Sequence, residues 1–141
     1  MNMITTNEII DFVKENLGLD NVTDNTDIFD NRLFGDEFHE LIEKFAETYS
    51  VDMTNYLWYF HADEGYFSFG SLFFEPPNKR VNRIPVTPLL LTEFANKGKW
   101  NIEYPEHKIP KRRYDTLINQ ISVVAIVVWI IVKILIRYDI I

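Results

Sequence analysis

Between Gly35 and Val51, the residues Phe38, Leu41, Ile42, Phe45, Ala46 and Tyr49 recur at the spacing of one helix face. That spacing predicts an amphipathic helix whose apolar stripe must be buried against a partner. Along its other side Asp36, Glu40, Glu43 and Glu47 repeat at the same period with Glu37 beside them, giving an acidic ridge turned toward water. Gly35 and Asp36 suit the cap, and acids in the first turn complement the helix dipole. Upstream, Thr5 and Glu8 stand at capping-box spacing. Ile9, Ile10, Phe12, Val13 and Leu17 supply an apolar stripe, and Gly18 supplies a stop, so a first helix is predicted there. Residues 19–34 are rich in Asn and Asp, with Val22, Ile28, Phe29, Leu33 and Phe34 as isolated apolar anchors, which describes a long packed loop. After Ser50, Asp52 or Thr54 can cap a short helix running to Phe60. Thr87 as cap and Pro88 at the first helical position open a further helix with Leu89, Leu90, Leu91, Phe94 and Ala95 as its apolar face. Lys97, Gly98 and Lys99 close it, and Trp100 is expected to fold back over the domain.

The pattern then changes. Residues 101–110 hold two prolines and no periodicity, and read as a linker. From Leu117 to Ile136 the chain is apolar on every side, and twenty residues as a helix span about 30 Å, the thickness of a bilayer's hydrocarbon core. Asn119, Gln120 and Lys133 interrupt the run, but near its two ends, where polar groups reach the surface and a lysine stem can snorkel. A buried element of a soluble fold is the alternative, and it needs a larger core than this chain can build. Lys108, Lys111, Arg112 and Arg113 precede the run, whereas Lys133 and Arg137 mark its far end. Four cations against two favour a single-pass membrane protein with its N-terminal domain in the cytoplasm. The predicted organisation is a helical domain over 1–100, a basic linker over 101–116, a transmembrane helix over 117–136 and a short tail over 137–141.

Charge sharpens the picture. The net charge of −7 divides into −13 over residues 1–75 and +6 over the remainder. An acidic head repels phosphates and excludes nucleic acid as its partner, favouring a basic protein surface instead. The absence of cysteine removes disulfides, thiolate nucleophiles and cysteine metal sites, and the first residues lack a secretory signal. Nine of the nineteen positions from Tyr56 to Phe74 are aromatic, which predicts core and loop packing, with a ligand or membrane surface as the alternative. Glu75 to Arg80, with Arg83, reads as an exposed basic loop.

Catalytic constellations are missing. His39, His61 and His107 lack paired-ligand spacing, so no metal is expected. None of Ser50, Ser68, Ser71 and Ser122 sits in a nucleophile elbow, and the five glycines form no phosphate loop. The sequence predicts no catalytic, cofactor-binding or metal-binding residue, and no enzyme.

A capped first helix, a long Asp/Asn-rich loop, an acidic second helix, a short third and a closing fourth is the plan of acyl carrier proteins. The Gly35-Asp36-Glu37 start of the second helix and the closing run from Leu91 to Trp100 resemble an uncharacterised bacterial family of small acyl-carrier-like proteins, over about Thr5 to Trp100. A true carrier has Asp-Ser-Leu at the start of helix two, where the serine takes the phosphopantetheine arm. Here Phe34 to Phe38 offers no serine, so the resemblance implies the fold and the recognition surface without the cofactor. Carriers dock basic partner patches through acids on helix two, which match Asp36, Glu37, Glu40, Glu43 and Glu47. The expectation is an all-α, acyl-carrier-like bundle followed by a transmembrane helix, acting as a non-enzymatic protein-interaction domain. An unusual carrier modified at Ser68 or Ser71, or a small membrane-associated toxin or immunity factor, are the alternatives.

Overall fold

The computed structural model describes residues 3–29, 35–64 and 68–138. Four α-helices lie among them: α1 (Thr6–Leu17), α2 (Gly35–Tyr49), α3 (Pro88–Lys97) and α4 (Tyr114–Arg137). Short 3-10 turns stand at Trp58–Phe60, Phe69–Leu72 and Pro77–Lys79. There is no strand among the described residues, only an isolated bridge between Asp52 and Lys99.

The helix ends are set by local chemistry. Thr5 Oγ1 accepts the Glu8 N–H at 3.3 Å, and Gly18 closes α1 at φ +63°, a conformation that costs a residue with a Cβ. Thr87 Oγ1 accepts the Leu90 N–H at 3.2 Å, with Pro88 in the first turn of α3. Gly35 is itself the first residue of α2, with Asp36 and Glu37 in its first turn, and the residue before it lies outside the described residues.

The core is formed by Ile9 and Val13 of α1, Phe38, Leu41, Ile42 and Phe45 of α2, and Leu91 and Phe94 of α3. Trp100 covers them and is fully buried. It is held there because Asp52 donates its N–H to the Gly98 carbonyl at 2.9 Å while its own carbonyl accepts the Trp100 N–H at 2.8 Å. The long loop after α1 packs as its anchors predict: Ile28 is buried and donates to the Val86 carbonyl at 2.9 Å. Leu33 and Phe34 lie outside the described residues.

Three expectations need correction. The short helix from Asp52 to Phe60 is not formed: Asp52 Oδ1 accepts the N–H of Thr54 at 2.9 Å in a local turn, and only Trp58–Phe60 is helical, as one 3-10 turn. Leu89 is exposed, because three successive leucines cannot share one face of a 3.6-residue helix and Leu91 takes the inward position. The aromatic segment splits: Phe60 is fully buried, whereas Phe69, Phe73 and Phe74 face outward.

Helix α4 starts three residues ahead of Leu117 and runs for 24 residues, about 36 Å. Its mean hydropathy reaches 2.3 and none of that apolar window is buried, so it is long and apolar enough to cross a membrane. Its base is attached to the domain. Arg113 bonds to both Glu64, at 2.7 Å, and Asp115, at 2.9 Å. The Phe69 N–H donates to Asn119 Oδ1 at 3.2 Å, and a Cβ on Gly70 would lie 1.8 Å from the Asp115 carbonyl oxygen.

Candidate functional site

The period of α2 separates its two faces. Phe38, Leu41, Ile42 and Phe45 are buried, and Asp36, Glu37, Glu40, Glu43 and Glu47 are all exposed. Neither Asp36 nor Glu40, Glu43 or Glu47 takes part in an ion pair among the described residues. Edge-on contacts of Phe12 with Phe45, at 6.3 Å, and with Tyr49, at 5.5 Å, lock this helix to α1, so the acids stand on a rigid support.

The acids fall into two neighbourhoods. Glu43 and Glu47 line a surface cavity of about 750 Å³ between α2 and the segment from Met53 to Glu64. Glu37 and Glu40 face a smaller cleft of about 230 Å³ against the end of α1, beside Asn16 and Lys44. Asp36 lines neither.

The larger cavity combines negative charge with an apolar floor. Ile42, Met53, Tyr56 and Trp58 form the floor, and Glu64 adds a third carboxylate at the rim. Arg113, the cation of this cavity, is already bonded to Glu64 and Asp115, so Glu43 and Glu47 remain uncompensated. His39 builds one wall: its Nε2–H donates to the Asp63 carbonyl at 2.9 Å and its ring meets Trp58 edge-on at 5.8 Å. The Tyr56 hydroxyl is buried with no hydrogen-bond partner, and burial, then the fields of Tyr104 and Glu43, push its pKa far above the ordinary tyrosine value. This phenol stays neutral.

Below the cavity lies a polar network that belongs to the fold. The Tyr104 hydroxyl accepts the N–H of Leu57 at 3.2 Å and the indole N–H of Trp100 at 2.9 Å. Its own hydrogen is then left for His61 Nε2 at 2.8 Å, which fixes the tautomer: Nδ1–H of His61 donates to the Ile84 carbonyl at 2.9 Å. Burial pulls the His61 pKa down to about 4, against the smaller opposing pull of the Ile84 carbonyl. His61 is therefore neutral near pH 7 and acts as a strut. In the stretch read as a linker, Tyr104 completes this network, and His107 Nε2 accepts from the Tyr59 hydroxyl at 2.8 Å.

Each predicted acid is exposed, but sequence reasoning missed the far side of the cavity. Met53, Tyr56, Trp58, Glu64 and Arg113 come from three separate stretches, and the density of aromatics from Tyr56 onward was the one signal that could have found them. The histidines do not converge, and no group of metal-ligating side chains occurs among the described residues. Ser68, buried with its hydroxyl unpartnered, and Ser71, whose hydroxyl donates to the Ser68 carbonyl at 2.6 Å, do not line the cavity and belong to the turn packed on α4.

No curated protein and no solved structure matches the chain. The family model described as a protein of unknown function (DUF1493) matches residues 2–103, which take in α1, α2, α3 and Trp100 and stop short of α4, and the chain belongs to that family.

Proposed function

We propose that this protein is a non-enzymatic docking module, held at the cytoplasmic face of a membrane by α4, which captures a basic protein through the acidic face of α2. The observation that carries this is the pairing of uncompensated Glu43 and Glu47 with an aromatic floor in one cavity. A lysine or arginine side chain of the partner satisfies both features, its charge meeting the carboxylates and its stem or guanidinium lying on Trp58 and Tyr56. Glu37, Glu40 and Asp36 extend the negative field along the same helix and steer the encounter. An acidic second helix between a capped first and a closing last helix supports an acyl-carrier-like plan, with the short third helix of that plan reduced to the Trp58–Phe60 turn. What supports this reading over a carrier is that Gly35 and Asp36 stand where the serine belongs, that Ser68 is only 6% exposed, and that the half-buried Ser71 hydroxyl already donates to the Ser68 carbonyl. The excess of cations ahead of α4 supports the cytoplasmic orientation.

The test uses the full chain as bait on detergent-solubilised membranes. Glu43→Lys with Glu47→Lys alters exposed positions, so the fold keeps its stability while capture of the partner is lost and the captured protein proves basic at its contact surface. Undiminished capture by the double variant overturns the docking role of this face.

A further inference from the structure

We infer that the 3-10 turn Phe69–Leu72 and the two residues after it form an apolar wedge, seated in the headgroup region of an anionic bilayer beside the point where α4 enters. This rests on the reading of α4 as a membrane span. Among the described residues ahead of Tyr114, the exposed large hydrophobics are Met3, Leu89 and, within one six-residue stretch, Phe69, Leu72, Phe73 and Phe74. Four of the six are thus one patch rather than scattered side chains. Leu72 and Phe73 are 65% and 64% exposed, values that match the bare surface of α4 itself.

The patch is fixed in place. Gly70 lets the turn approach the Asp115 carbonyl more closely than any residue with a Cβ could. The Phe74 and Tyr114 rings meet at 5.5 Å. The bond from the Phe69 N–H to Asn119 Oδ1 settles a further matter, since an asparagine in the first turns of a membrane helix needs a partner. The turn supplies one at the level where the apolar run begins. Aromatic side chains at that level sit favourably in the interfacial zone, which is both apolar and wet.

The surrounding charge selects the surface. Arg80 and Arg112 line a cleft with Phe74 and Tyr114. Lys79 and Lys108 join Arg80 in the adjoining cleft, with Glu75 and Glu106 as opposing acids. Arg113 and Asp115 in the first cleft pair with each other, and the remaining four cations against two acids leave a positive rim around the wedge, complementary to anionic phospholipid headgroups. The acidic face of α2 carries the opposite sign and is kept for a protein partner.

Because the chain lacks cysteine, single cysteines can be placed at will. Leu72→Cys, Val127→Cys and Glu40→Cys, each carrying an environment-sensitive NBD label, are reconstituted as full-length protein in vesicles of phosphatidylcholine and phosphatidylglycerol in equal parts. A nitroxide near the lipid glycerol should at least halve the emission at position 72, a nitroxide deep in the chains should do so at position 127, and neither should affect position 40. Quenching at 127 with none at 72 overturns the wedge and leaves the span intact. No quenching at 127 overturns the span, and the wedge with it. Equal quenching at 72 in phosphatidylcholine alone, or its survival in Arg80→Gln with Arg112→Gln, overturns the preference for anionic lipid. Efficient disulfide formation between unlabelled copies of the Leu72→Cys variant, without lipid quenching, assigns the patch to a second copy of the chain and overturns the wedge.

Discussion

Acidification should loosen the domain through His61, and the size of the effect follows from its surroundings. In the folded chain the ring is fully buried, both nitrogens are engaged, and the pKa falls from 6.5 to about 4. A proton on Nε2 would point at the hydrogen of the Tyr104 hydroxyl, which cannot turn away without abandoning the N–H groups of Leu57 and Trp100. Because the folded pKa lies below the unfolded one, the contribution of neutral His61 is fully present above about pH 6.5 and is lost as pH falls toward about 4. At 1.36 kcal/mol per unit the full loss is about 3 kcal/mol, of which about 2 kcal/mol is gone by about pH 5. Urea unfolding of the full chain in mild detergent, followed by the near-ultraviolet dichroism of the tryptophans, measures it at several pH values. His61→Gln keeps an acceptor for Tyr104 but cannot titrate, so it should be less stable near pH 7 by about 1–3 kcal/mol and much flatter toward pH 5. Parallel pH profiles for the two proteins would refute the assignment of the acid sensitivity to this ring.

Phe45 is fully buried between α1 and α2, and Phe45→Ala should cost about 3–5 kcal/mol in the same unfolding measurement. Ser50 ends α2 at φ +54°, where a side chain is strained, so Ser50→Gly should raise stability by about 0.5–1 kcal/mol. Gly70→Ala should push the Phe69–Leu72 turn away from Asp115, lowering stability by about 1–3 kcal/mol and speeding amide exchange of Phe69, whose N–H would lose Asn119.

Much of the architecture was legible because it is specified locally. Thr5 with Gly18, and Thr87 with Pro88 and Gly98, mark α1 and α3 by the backbone geometry they favour, and the phase of Phe38 to Tyr49 assigned α2 its inward and outward faces. What was not legible depends on contacts distant in sequence. The chain after Ser50 failed to form a helix because Asp52 commits its backbone groups to Gly98 and Trp100. Tyr104 stands in a proline-containing run without periodicity, and only the fold shows that Leu57, His61 and Trp100 converge on its hydroxyl. The cavity was half visible for the same reason: the acids share one helix and one period, whereas its floor and rim are brought together by tertiary structure.

The pairing of the two ends of the domain bears on how it folds. Asn96 of α3 reaches back 92 residues to clasp Ile4, accepting its N–H and donating to its carbonyl, and α1 packs on α3 as well as on α2. Trp100, joined to Asp52, closes the same circuit from the other direction. No fragment ending before α3 therefore contains a complete core. Chain closure over most of the domain must precede the contacts that reward it, which raises the entropic barrier above that of a bundle built from neighbouring hairpins. Helicity in α1 and α2 can appear early, but a cooperative transition has to wait for residues near 100, and the folding rate should be limited by that long-range search rather than by helix formation.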